Sequence, residues 1–220
     1  MPAKPLYPVP PRSATIGMWL FLAALTMLFA SSLLGYFLIR LRLGGEAATS
    51  RTAAAPLRLP WLLWISTLLL LGSSLAMQRA LAAVRRERQR AFFTALLTAT
   101  GLTVAFIAVQ APAMVQLLHQ HGQIRSVAAA SAAQIAAAPG PGAAPGAGAA
   151  ATLYGLIFFL VLLHALHVLG GLLAAGALLH GAWHHRYDHE HHAPVRHVAM
   201  YWHFLDAVWL VMFLSLWLAG

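Results

Sequence analysis

Residues 152–179 read TLYGLIFFLVLLHALHVLGGLLAAGALL, from Thr152 to Leu179, without an acid, a lysine or an arginine. A surface helix of a soluble protein keeps a polar face. This run has none, and it exceeds the roughly 20 apolar residues with which a helix crosses the hydrocarbon of a bilayer. Inside hydrocarbon each backbone N–H and C=O must be paired within the protein, so such a run is read as α-helix. Four more stretches are long and apolar enough to cross, two of them with a single charged residue each (Arg79 and Asp206): Ile16–Ile39, Trp61–Ala83, Ala91–Leu118 and Val198–Leu218. The pattern predicts an all-α polytopic membrane protein, with residues 1–220 forming a single domain of five transmembrane helices in one bundle.

Composition agrees. Hydrophobic residues make up 60% of the chain and charged ones 9%, against about 25% charged in soluble domains. Cysteine is absent, which excludes disulfides, thiolate metal sites and cysteine nucleophiles. The formal charge of +9 does not point to nucleic acid, because nearly all charges flank apolar runs, as membrane-anchoring arginines do. The first run follows Lys4 and Arg12, as a signal peptide would. It is too long for a signal core, and Arg40 and Arg42 close it like a stop-transfer sequence, so it is kept as helix 1.

Nine of the fourteen basic residues fall on one side if the runs alternate: Lys4, Arg12, Arg79, Arg85, Arg86, Arg88, Arg90, Arg186 and Arg196. Arg40, Arg42, Arg51, Arg58 and Arg125 fall on the other. The positive-inside rule then predicts a cytoplasmic N-terminus and an outside C-terminus. The short basic link 85–90 predicts that helices 2 and 3 are antiparallel neighbours. Residues 126–151 are low-complexity alanine, glycine and proline, and they predict a mobile external loop.

Polar groups inside the runs are few. Of the acids Glu46, Glu87, Asp188, Glu190 and Asp206, only Asp206 lies well within one. A carboxylate at mid-membrane costs about 2.5–3.5 kcal/mol on the insertion scale, so it must face protein or water. Trp202, His203 and Trp209 stand at i−4, i−3 and i+3 from Asp206, on one helical face. This face is either a hydrogen-bonded His–Asp pair that locks helix 5 against its neighbours or a step in a proton path. His164 and His167 share a face of helix 4. Two such imidazoles can ligate a metal or a haem, but no spacing demands a third ligand, and packing histidines are the simpler reading. The tract His184-His185-Arg186-Tyr187-Asp188-His189-Glu190-His191-His192 reads as a solvated loop with, at most, weak adventitious metal binding. Phosphate-binding glycine loops, G-x-S-x-G elbows and paired carboxylates are missing. No catalytic, cofactor-binding or metal residue is therefore assigned.

The last run, Tyr201-Trp202-His203-Phe204-Leu205-Asp206-Ala207-Val208-Trp209-Leu210, resembles the C-terminal helix signature of subunit III of the haem-copper oxidases, the cytochrome c and quinol oxidases. Helix 4 is similar to the same family through Tyr154-Gly155, Phe158-Phe159, His164-Ala165-Leu166-His167-Val168 and Gly170-Gly171. Gly17-Met18-Trp19-Leu20-Phe21-Leu22 and Gln110 are weaker likenesses in helices 1 and 3. Five runs look like the shorter bacterial form, without the two extra N-terminal helices of the mitochondrial type. The resemblance implies a helical subunit of a bacterial inner-membrane oxidase. It would carry no cofactor itself, with haem and copper in partner subunits. It would pack against oxidase subunits I and II, bind membrane phospholipids, and support aerobic electron transport and proton translocation.

The chain departs from that pattern at three points. Ala24 and Leu25 occupy the register of the family's helix 1 glutamate, Arg196 aligns with a second glutamate, and Pro112 and Ala113 stand where a third acid follows the glutamine. A leucine neither titrates nor accepts a hydrogen bond, so a role that needs the helix 1 carboxyl is unavailable here. Two alternatives accompany this reading. One is a subunit III-like accessory protein of nitric oxide reductase. The other, of a different class, is a metal-ion transporter with a His-rich cytoplasmic loop, against which helices 1 to 3 offer no mid-span acid or imidazole.

Overall fold

The computed structural model of the chain describes residues 11–49, 62–137, 146–184, 186–187 and 192–219. Among these, five helices account for nearly everything: α1 Pro11–Thr49, α2 Leu62–Arg85, α3 Gln89–Ala137, α4 Gly146–Trp183 and α5 Ala193–Ala219. Each contains a segment long and apolar enough to span a membrane: Ser13–Leu41, Trp64–Arg85, Gln89–Pro112, Gly155–Trp183 and Ala193–Ser215. The five runs read from the sequence are the five helices.

The helices overrun those segments, and this corrects one expectation. Residues 126–137 continue α3 and residues 146–151 open α4, where the composition of 126–151 suggested a loop. Alanine is the strongest helix former, so an alanine-rich stretch extends a helix that is already nucleated. The breakers Pro139, Gly140 and Pro141 lie in 138–145, outside the described residues. Pro112 sits inside α3; it has no N–H for the carbonyl four residues back, a loss that surrounding helix and side chains tolerate in a membrane.

The α2–α3 connection is tight. The Glu87 N–H donates to the Val84 carbonyl at 3.2 Å and the Arg88 N–H to the Ala83 carbonyl at 3.0 Å. This pair of bonds is the Schellman arrangement, which ends a helix on a left-handed residue. Glu87 takes that place with φ 57°, a position glycine usually fills. The α4–α5 link is fastened to the same end. The Gln89 side-chain amide donates to the Tyr187 carbonyl at 2.7 Å, and the Tyr187 ring meets Phe92 edge-on at 6.1 Å. Burial raises the Tyr187 hydroxyl above its ordinary pKa, against the opposing pull of Arg186, so the phenol stays neutral there. Thr15, at the start of α1, reaches His197 at 3.4 Å. Arg79, Arg85, Arg86, Arg88, Arg90, Arg186 and Arg196 thus gather at one end of the bundle.

The core near that end is built by four helices. Met77, Ala80 and Val84 of α2 meet Phe92, Leu96 and Ala99 of α3, Ala175, Leu178 and Ala182 of α4, and Val195, Ala199 and Trp202 of α5. So many alanines mark close backbone approach, the way helices associate where lipid is as apolar as the side chains. Among the described residues α1 packs on α4 and α5 only, through Phe29 and Tyr36 against Ile157, Leu160 and Met212. Its other side exposes Ile16, Trp19, Leu20, Met27 and Leu34, a lipid-facing surface.

Gly171 sets the α4–α5 distance. A Cβ there would stand 3.3 Å from both Trp202 and Tyr201 and 3.4 Å from Leu205, whereas one at Gly176 would meet nothing within 4 Å. Gly171→Leu should therefore destabilise the chain by about 1–3 kcal/mol, the usual cost of overpacking, and Gly176→Leu should be neutral or stabilising. Unfolding in mixed detergent micelles, followed by circular dichroism, measures both. Equal effects would mean that α4 and α5 are not in contact at Gly171.

Candidate functional site

The polar side chains inside the bundle form a layer where α2, α3, α4 and α5 meet, with α1 closing one side. Its centre is Ser73 of α2, fully buried. The Trp202 indole N–H donates to Ser73 Oγ at 3.0 Å. Ser73 in turn lies 2.9 Å from the Thr103 hydroxyl, and both hydroxyls donate to the Ala99 carbonyl, at 3.1 and 2.9 Å. Three helices are cross-linked through one hydroxyl group. A second link runs from the Trp209 indole N–H to Thr67 Oγ1 at 3.3 Å. A third joins α5 to α4, where the Tyr201 hydroxyl donates to the His167 carbonyl at 3.0 Å.

The histidines differ in what holds them. His167 Nδ1 donates to the Leu163 carbonyl at 2.7 Å, which commits that nitrogen to the helix's own backbone. His164 is almost fully buried, wedged between Phe29 of α1 at 6.4 Å and Trp209 of α5 at 5.4 Å. Neither of its nitrogens is within hydrogen-bond distance of a described group. His203 is half-buried, and its Nδ1 shares a hydrogen bond with Ser74 Oγ at 2.8 Å.

Asp206 is buried, as its place in the span requires. Its carboxylate stands 3.9 Å from His203 Nδ1, beyond hydrogen-bond reach. The hydrogen-bonded His–Asp pair expected from the sequence is thus corrected. Spacing of i and i+3 brings the two groups near each other, but Ser74 on α2 is closer and takes the imidazole. Trp202, Trp209 and Asp206 face inward together, and His203 stands at the edge of that face.

Gly155 is half-buried on α4, and the Tyr154 side chain lies outside what the structure describes. Leu25, at the register of the missing helix 1 carboxyl, is buried, while Ala24 is exposed. Sequence reasoning missed Ser73, Ser74, Thr67, Thr103 and Tyr201. Serine and threonine in apolar helices usually bond back to their own turn, as Thr26 does to Leu22 at 2.8 Å, so pattern alone does not separate the linking hydroxyls from the local ones.

Among the described residues no group of three or more His, Cys, Asp or Glu side chains comes together to hold a metal ion. His164 and His167 project from one helix and do not oppose each other across a cofactor. The layer suits interhelical bonding, each bond contributing on the order of 0.6 kcal/mol in a membrane, with Asp206 as the carboxylate among the described groups there.

Comparison with known proteins bears on the two helices that carry these histidines and this aspartate. The family model described as Cytochrome c oxidase subunit III matches residues 145–220. Among curated relatives, Cytochrome c oxidase subunit 3 of Lumbricus terrestris is 36% identical over 70 residues, 31% of this chain and 27% of the relative. That of Polypterus ornatipinnis is 39% identical over 69 residues, covering 30% and 26%, and that of Chondrus crispus 33% identical over 69 residues, covering 31% and 25%. The matched stretch spans about a quarter of these relatives' length.

Ser73 is the test of the layer. Ser73→Ala leaves the buried Trp202 N–H without its acceptor and should cost about 1–3 kcal/mol, the penalty for an orphaned buried donor. Thr103→Val should cost less, because Ser73 keeps both the Ala99 carbonyl and Trp202. Detergent-unfolding midpoints of the two variants give the order, and a reversed order would remove Ser73 from the centre of the layer.

Proposed function

We propose that this chain, whose residues 145–220 match the cytochrome c oxidase subunit III family model, is a member of that family and the non-catalytic membrane subunit of a respiratory haem-copper terminal oxidase. The observation that carries the reading is the α4–α5 pair. The two helices covered by the family match are those joined at Gly171 and by the Tyr201–His167 bond, with Trp202, Asp206 and Trp209 buried between them and their neighbours.

In this reading haem and copper sit in the partner subunits. The chain packs beside subunits I and II, holds phospholipid against its apolar flanks and stabilises the catalytic subunit while oxygen is reduced and protons move. The membrane is the inner membrane of a bacterium. The arginine-rich end of the bundle, with the N-terminus, faces the cytoplasm, and the C-terminus and the 126–151 connection face outside. A carboxyl in α1 takes no part, because Leu25 fills its register. Asp206 serves packing and local polarity rather than carrying protons.

Two outcomes are expected. Affinity capture of the tagged chain from membranes in mild detergent should recover a larger polytopic haem protein that consumes oxygen, while the chain purified alone in the presence of a chelator should hold no stoichiometric haem, copper or iron. One haem per isolated chain, or capture of homo-oligomers only, would overturn the accessory-subunit reading. A captured partner that reduces nitric oxide instead would move the chain to the nitric oxide reductase alternative.

Replacing Asp206 by Asn or by Leu should leave oxygen turnover per assembled complex within about twofold, a change below 0.5 kcal/mol. His203 keeps Ser74 as its partner in either variant, so subunit retention should fall little. Oxygen-electrode and proton-uptake measurements decide the matter: equal slowing of proton uptake in both variants, with assembly intact, would make Asp206 a carrier.

A further inference from the structure

The last turn of α4 sets two imidazoles side by side. His180 and His184 are one turn apart, and the His184 N–H donates to the His180 carbonyl at 3.3 Å, so helical geometry reaches both. Their ring centroids are 4.7 Å apart, with the planes at 71°. Both side chains are exposed. Trp183 between them is 70% exposed and meets Phe93 at 5.8 Å. An exposed tryptophan at a helix end marks the level of the lipid headgroups, so His184 stands at the aqueous rim and His180 just below it. The pair is separate from the interior layer: His180 lies 180 − 167 = 13 residues beyond His167, roughly 20 Å along the axis at 1.5 Å per residue.

We propose that His180 and His184 form a bidentate site for a divalent transition-metal ion of the zinc, nickel or copper class. Imidazoles at i and i+4 lie on one helix face and can share one ion. Tetrahedral zinc with Zn–N distances of about 2.0–2.1 Å sets two nitrogens about 3.3 Å apart. Rings with centroids 4.7 Å apart reach that separation by side-chain rotation, without moving the backbone. The donor set also fixes selectivity. Imidazole nitrogen suits zinc, copper and nickel, whereas calcium and magnesium take oxygen ligands, chiefly carboxylates. The pair offers no oxygen donor and no negative charge, which calcium and magnesium need, whereas exposed Arg186 two residues further on disfavours all divalent cations alike. Water completes the coordination. The bound ion ties the end of α4, the point from which the chain turns toward α5.

The full chain, purified in detergent through a tag without histidine, is titrated with zinc alone in competition with a chromophoric chelator. One saturable zinc per chain is expected. His180→Ala and His184→Ala should each weaken it by about tenfold or more, since the second ligand of a chelate acts at high effective concentration. Helix content and the unfolding midpoint of the metal-free variants should match the parent, as both side chains are exposed. Joint replacement of His189, His191 and His192 by alanine should leave the affinity unchanged, as should excess calcium or magnesium. Copper in place of zinc supplies a second readout, an electron paramagnetic resonance signal with two nitrogen ligands that falls to one in His184→Ala. The proposal is overturned if the triple variant abolishes binding while His180→Ala does not, if calcium or magnesium competes, or if the parent chain shows no saturable zinc.

Discussion

A hydrocarbon solvent offers no hydrogen bonds, and this constraint shapes every level of the chain. It makes each spanning run a helix, because only a helix pairs all its own backbone groups. It also governs the side chains. A serine, an indole or an imidazole in mid-membrane must find its partner on its own turn or on a neighbouring helix, and the choice between those two decides whether it contributes to tertiary structure. Ser73 chooses the neighbour. Its hydroxyl joins the Trp202 indole of α5 to Thr103 and the Ala99 carbonyl of α3, so α5 cannot rotate or slide without leaving a buried donor unpaired.

Such bonds are short, and the backbones must come close for them to form. The small residues supply that closeness. Ala76, Ala80, Ala99, Ala175 and Ala199 line the four-helix core, and Gly171 brings α4 against the Trp202 and Tyr201 rings. Hydrogen bonding and dispersion are therefore coupled: the alanines hold the helices near enough for the hydroxyls to meet, and the hydroxyls fix the rotation that keeps the alanines facing each other. α1 stands outside this arrangement. It touches α4 and α5 through large side chains, with Phe29 and Tyr36 against Met212. Its mid-span hydroxyls, Thr26, Ser31 and Ser32, bond back to carbonyls of their own helix.

The number and order of helices were legible because charge depletion is a strong signal: a run of about 20 residues with at most one lysine, arginine or acid suits a bilayer and little else. Helix ends were less legible. Beyond the apolar run the sequence records only local preference, and alanine prefers helix wherever one has begun, so residues 126–137 extend α3 where low complexity suggested a loop. Asp206 and Trp202 were legible as members of one inward face, since a buried carboxylate in a span is rare enough to stand out. The partner of the neighbouring His203 was not. Periodicity places His203 near Asp206, but the Ser74 hydroxyl that takes the imidazole is 129 residues away, and no local pattern reports a contact at that separation.

The histidines show how depth decides what one side chain does. His167 sits in hydrocarbon and satisfies itself on its own backbone. His164, one turn earlier, is packed between the Phe29 and Trp209 rings and serves as a flat filler of the core. Near the rim, His180 and His184 are exposed, so no internal bond is forced on them. Coordination proposed at the end of α4 does not compete with helix packing. The interior polar groups hold α2, α3, α4 and α5 in register. A bundle held this way presents a fixed helical surface, defined by shape and apolarity.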